Sequence, residues 1–256
     1  MKYFLTIVSF IIWSASMSTR ADVMEQKLDL PNKLGSAVLY TNDVGKPKAG
    51  VIVVHEWWGL NDYARGRAKQ LAELGYAAIA VDMYGNGKIA EHPKDAQTFM
   101  MVAMMEPDKM NARFQEAKKL LEKNTGLSSD HIYAIGYCFG GAVVLNQARM
   151  GTKLAGVASF HGMLDTKTRA QPNTVKAKIL VATGGADTMV SAEQVGALVT
   201  EMQRAGVDLQ LLTFPGVKHG FTNPASTENG KKFDMPLAYD EHADKASWEA
   251  LLKFLQ

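Results

Sequence analysis

Tyr133-Ala134-Ile135-Gly136-Tyr137-Cys138-Phe139-Gly140-Gly141 runs straight into Ala142-Val143-Val144-Leu145-Asn146-Gln147-Ala148-Arg149-Met150, and the reading of this stretch decides the fold. The first half is a short apolar run that reads as a strand, and the second half reads as a helix. Between them stands Gly-x-Cys-x-Gly, the strand–turn–helix context of a nucleophile elbow with sulfur in place of the more usual serine oxygen. An elbow forces one side chain out at a very sharp turn. Gly136 and Gly140 remove the Cβ atoms that would clash with the tight backbone. The following helix aims its free N–H groups, and the positive end of its dipole, at the sulfur.

Working outward, apolar strand signals alternate with helical ones along the chain. Gly50–Val54 and Tyr76–Val81 are continuous apolar runs of the kind buried on both faces of a parallel sheet. Leu34–Tyr40 reads as an edge strand, and further strands are expected at Leu154–Phe160, Lys178–Thr183 and Leu209–Phe214. Helices are expected near Tyr63–Leu74, from Lys94 to Glu122 with a break at Pro107, near Ala192–Ala205, and at Glu241–Leu255. Asn223–Leu237 reads as polar and irregular. The methionines Met100, Met101, Met104, Met105 and Met110 could form a metal or ligand surface, but at helical spacing they read as core filler. The alternation specifies a doubly wound, mostly parallel α/β sheet, without repeats and without an interdomain linker. In such sheets reactive groups gather beyond the carboxyl ends of strands. Glu56, Cys138, Asp187 and His219 all follow strand ends.

The chain has 256 residues, 47% hydrophobic and 21% charged, which suits one α/β domain over residues 22–256. A net charge of +2 and the lack of basic runs argue against nucleic acid or an anionic membrane surface as partner. Lys2, an apolar run of about 11 residues and the small residues Ser14-Ala15-Ser16 match a secretory signal peptide over residues 1–21, cleaved after Ser16 or Ala21. The run is too short to span a bilayer comfortably, so a mature protein free of any membrane span, periplasmic or extracellular, is expected. One cysteine in an exported chain forms no internal disulfide, so the thiol calls for another explanation. Catalysis supplies it. A monomer is favoured.

A thiol needs a base to take its proton, and the base needs a third group to hold its tautomer. Cys138, Asp187 and His219 supply nucleophile, acid and base in the chain order of α/β-hydrolases. Asp82 also ends a strand but precedes the nucleophile, and reads as structural, as do His55, His92, His131, His161 and His242. Oxyanion donors are expected from the backbone N–H of Phe139 and of Trp57. The Trp57-Trp58 pair reads as an acyl-pocket wall in preference to a sugar platform. No paired histidine spacing points to a metal, and no cofactor is expected.

Gly-Tyr-Cys-Phe-Gly-Gly, the Glu56-Trp57-Trp58-Gly59-Leu60-Asn61-Asp62 run, Asp82-Met83-Tyr84 and Val217-Lys218-His219-Gly220-Phe221 together resemble the dienelactone hydrolase family, from about Val51 to the C-terminus. The resemblance implies an α/β-hydrolase without a large lid, acting on a small-molecule ester or lactone through a Cys-Asp-His triad and a thioester. It implies that Glu56 contacts the cysteine and joins in its activation. Trp58, Tyr84, Asn86, Phe221 and Asn223 become the substrate-contact candidates. Family members that act on dienelactone hold its carboxylate with two arginines, and the matching positions here are Asn86 and Asn223. Loss of both guanidinium forks removes the charge-assisted grip on an anion, so neutral esters or lactones are expected. The competing expectations are the dienelactone reaction itself, carboxymethylenebutenolidase, and a non-catalytic exported ligand-binding protein of the same fold. A rate comparison between neutral ester and carboxylated lactone separates the first, and an inert reduced protein would favour the second.

Overall fold

Strands β1 (Val23–Leu30), β2 (Gly35–Asn42), β3 (Gly50–Val54), β4 (Ala77–Val81), β5 (Ile132–Tyr137), β6 (Gly156–Phe160), β7 (Lys178–Gly184) and β8 (Leu209–Phe214) form one sheet in a computed structural model. The structure describes residues 22–43 and 45–256; the signal-peptide reading of 1–21 lies outside the described residues. The strand order is β1-β2-β4-β3-β5-β6-β7-β8. β1 and β2 run antiparallel to their neighbours and the other six are parallel. The sheet is therefore doubly wound, and the winding direction reverses at β3, between β4 and β5.

β1 corrects the expected edge. β2 is not the outer strand, because Val23–Leu30 pairs along its whole length. Its alternation is weak: only Leu30 is buried, so its hydrophobic pattern carried little signal.

Helices α1 (Asp62–Glu73), α2 (Pro93–Met105), α3 (Pro107–Thr125), α4 (Phe139–Arg149), α5 (Ala192–Ala205), α6 (Ser226–Phe233) and α7 (Glu241–Phe254) complete the described chain. α1 and α7 pack on one face of the sheet through Ala64, Ala68, Leu71, Ala243, Leu251 and Phe254. α3, α4 and α5 cover the other through Phe114, Leu121, Val144, Leu198 and Met202. β3 and β4 have every residue buried, as continuous apolar runs between two helix layers require. Pro107 starts α3 where its missing N–H is harmless, and Glu106 caps α2 in a non-helical conformation (φ −117°, ψ 61°).

Two expectations fail here. The polar stretch after Asn223 is not irregular throughout, since it contains α6. The methionines are not all core. Met100 and Met110 pack partly against it, but Met101, Met104 and Met105 are 52%, 50% and 80% exposed. Ala96 and Ala103 supply the buried seam of α2, which turns those three side chains to solvent.

Candidate active site

Cys138 occupies the turn between β5 and α4 with φ 51° and ψ −114°, a backbone region that side chains rarely enter. The glycines around it explain how the turn closes. A Cβ on Gly136 would stand 2.1 Å from the Gly140 carbonyl oxygen, and one on Gly140 would stand 2.3 Å from the Val54 oxygen. The Cys138 N–H donates to Phe160 O at 3.0 Å, pinning the elbow to β6. Phe139 is the first residue of α4, so its N–H is one of the amides that a helix leaves without an internal acceptor. The strand, sharp turn and helix expected of this stretch are all present, with the glycines at the tight positions.

His219 and Asp187 come together beyond β8 and β7. His219 Nδ1 donates to Asp187 Oδ2 at 2.8 Å, and both side chains are almost wholly buried. Asp187 is itself oriented: its Oδ1 accepts from the N–H groups of Met189 and Val190. Burial pulls the His219 pKa down, but the neighbouring Cys138 and the Asp187 carboxylate outweigh it and push the imidazole up to about 10. Asp82, the rejected competitor, accepts from Tyr84 N–H and Gly87 N–H and serves its own loop.

Glu56 is 4% exposed and follows β3. Its Oε2 accepts from Asn223 Nδ2 at 2.6 Å. Burial raises its pKa to about 7, against lowering by the Asn223 hydrogen bond and the charges of His219 and Arg67. The Glu56–Trp57 peptide is held by its carbonyl, which accepts from His55 Nδ1 at 2.5 Å and from Gly59 N–H at 3.2 Å. A planar trans peptide then points the Trp57 N–H the opposite way. His55 acts as the clamp because its Nε2 accepts from Met83 N–H at 3.1 Å, which leaves the proton on Nδ1. Its place is structural, as expected, but it orients the amide that the sequence nominated.

The substrate-contact candidates divide. Trp58 and Asn223 line a cavity of about 320 Å3 with Asn61, Asp62, Tyr63 and Glu91. Tyr84 donates its hydroxyl to Trp57 O at 2.7 Å and packs against the rings of His55 and Phe139, so it braces the loop. Asn86 is exposed, accepts from Lys88 N–H, and lines a different cavity with Phe99 and Arg113. Phe221 is fully buried between His161 and Phe214, and it belongs to the core behind His219. The positive φ of Gly220 (74°) turns the chain inward at that point.

A polar cluster behind His219 escaped the sequence reading. Thr222 Oγ1 bridges the Tyr63 hydroxyl (2.6 Å) and His161 Nε2 (2.8 Å), while Thr222 O accepts from Arg67 Nη2 (2.6 Å). The His161 ring meets His219 edge-on with centroids 5.0 Å apart. Burial, then the neighbouring His219 charge, keeps the His161 pKa well below the ordinary value. Arg67 also pairs with Asp244. The only sequence signal was adjacency: Thr222 lies three residues after His219, and a lone threonine carries no motif. Among the described residues, no group of three or more His, Cys, Asp and Glu is placed to hold a metal ion.

A family model described as the dienelactone hydrolase family matches residues 36–256. The chain belongs to the dienelactone hydrolase family. It is accordingly a hydrolase of ester or lactone bonds. A putative carboxymethylenebutenolidase of Aquifex aeolicus is 27% identical over 212 residues, covering 80% of this chain and 87% of its own. Protein usf of Aquifex pyrophilus is 28% identical over 213 residues, with 81% and 87% covered. A dienelactone hydrolase-like promiscuous phosphotriesterase from metagenomic libraries superposes with a TM-score of 0.82 at 29% identity, over 91% of this chain and 97% of that one. The family match begins upstream of Val51, so it includes the antiparallel strand β2 apart from Gly35.

Proposed function

We propose that the protein is an exported hydrolase of small neutral esters or lactones, working through Cys138. Cys138 passes its proton to His219 and attacks the carbonyl carbon as a thiolate. The oxyanion is received by the N–H groups of Phe139 and Trp57, each fixed by the backbone around it. The leaving oxygen takes a proton from His219, whose raised pKa keeps one available near neutrality. Water then attacks the thioester, giving a proton to His219 and releasing the acid and Cys138. Asp187 holds the imidazole tautomer throughout. Glu56 takes part in activating Cys138 and is held for that purpose by Asn223.

The preference for neutral substrates rests on one observation. The cavity lined by Asn223, the hydrogen-bond partner of Glu56, also carries Asp62 and Glu91 with further amides and aromatic rings, and no lysine or arginine. Asn223 is committed to Glu56, and Arg67 is committed to Asp244 and Thr222. A substrate carboxylate there would meet the like charges of Asp62 and Glu91 with no cationic partner in the lining. Export rests on the first 21 residues alone, and N-terminal sequencing of secreted protein tests it.

The substrate class is tested by kcat/KM on a neutral short-chain ester and on the carboxylated dienelactone. A higher value for the neutral ester is expected. A strong preference for the anionic lactone would overturn this reading and restore carboxymethylenebutenolidase.

A further inference from the structure

The exposed methionines of α2 demand a reason, because large apolar side chains at 50–80% exposure lose the benefit of burial. Met101, Met104 and Met105 stand at i, i+3 and i+4, so helical geometry places them within about 100° of one another on the solvent side. That spacing brings three long, flexible thioethers within mutual reach. Thioethers are soft donors, matched to soft monovalent cations and poorly matched to Mg2+ or Ca2+. Two of the three close the last turn of α2, where the helix ends at Glu106 before Pro107. Unsatisfied carbonyls there make the helix end attractive to positive charge.

We propose that Met101, Met104 and Met105 form a surface site for a soft monovalent cation, Cu(I) or Ag(I). The cation binds through three sulfurs without redox change and without any group of the hydrolytic centre. The site is independent of the esterase reading. Leucine in place of methionine keeps the size and the exposed hydrophobicity but removes the donor atom.

The test uses Ag(I), which is redox-inert, titrated into the full mature chain carrying Cys138→Ala so that the thiol does not compete. Methyl-13C methionine resonances report each residue. One equivalent is expected to shift Met101, Met104 and Met105 while the other exposed methionines Met24, Met150, Met163 and Met189 stay in place. The combined Met101→Leu, Met104→Leu, Met105→Leu variant should bind at least about tenfold more weakly. In a chain with Cys138 intact, the same triple variant should hydrolyse ester at the unaltered rate. Equal binding by the triple variant, or shifts spread evenly over all exposed methionines, would overturn the proposal. So would the absence of binding at micromolar Ag(I) with far-ultraviolet circular dichroism showing both chains folded.

Discussion

Glu56 is held at the site against its own preference for water. Its pKa of about 7, against 4.5 for the free side chain, corresponds to about 3 kcal/mol. Because the folded value is the higher one, the Glu56 contribution to stability is full below pH 4.5 and is lost as pH rises through about 7. Glu56→Gln should therefore match the parent in stability near pH 4.5 and exceed it by about 3 kcal/mol above pH 8. Denaturant midpoints across that range measure it, and hydrolysis should fall in the same variant. Asn223→Ala removes the hydrogen bond that lowers the Glu56 pKa. The acid limb of kcat/KM should then move to higher pH by about one unit, or ~1.4 kcal/mol. At this scale the sequence was legible where a motif fixes a side chain: Cys138 stands at the turn between strand and helix, and His219 pairs with Asp187. It was not legible where role depends on direction. Asn223 was read only as a substrate contact, and its grip on Glu56 went unread, because a residue's partner across the sheet leaves no local pattern.

The elbow between β5 and α4 is the element on which the site depends. Alanine at Gly136 or Gly140 would drive a Cβ to 2.1–2.3 Å from backbone oxygen, where no side chain can move aside. Either substitution should destabilise by at least about 3 kcal/mol and abolish hydrolysis, read by urea unfolding and by ester turnover. At the other extreme, α5 begins with a complete capping box of Ser191 and Gln194, and Ser191→Ala should cost only about 1 kcal/mol with activity retained. Capped and glycine-stopped elements were the legible ones. α5 and β8 fall where their patterns put them, and α1 ends before Gly75, whose φ is 90°. β1 and α6 were missed for the same physical reason. Only Leu30 of β1 and Ser226 and Gly230 of α6 are buried, so neither carries an apolar stripe.

Across the whole molecule, the sheet collects Glu56, Cys138, Asp187 and His219 from four strand ends, and buried ion pairs tie the surrounding layers together. Arg149 at the end of the elbow helix pairs with Glu201 of α5 at 2.9 Å and donates to Leu164 O, while Glu201 accepts from Ala170 N–H. This latch joins α4, α5 and the β6–β7 connection. Arg149→Met would strand a buried carboxylate and should cost about 3–5 kcal/mol, whereas Arg149→Met with Glu201→Leu should recover much of that. Differential unfolding of the two variants checks the coupling. The doubly wound topology was legible from the alternation of buried apolar runs with helical segments, since that pattern is the sheet's own burial written along the chain. The pairing of Arg149 with Glu201 was not, because 52 residues separate the partners.

The most direct test of the account is mass spectrometry of protein quenched during turnover of a slow short-chain ester, with Cys138→Ala alongside. The account predicts an acyl adduct on the peptide carrying Cys138, at the mass of a thioester, and neither adduct nor turnover in the variant. Turnover by Cys138→Ala at the parent rate, or an adduct on another residue, would contradict it.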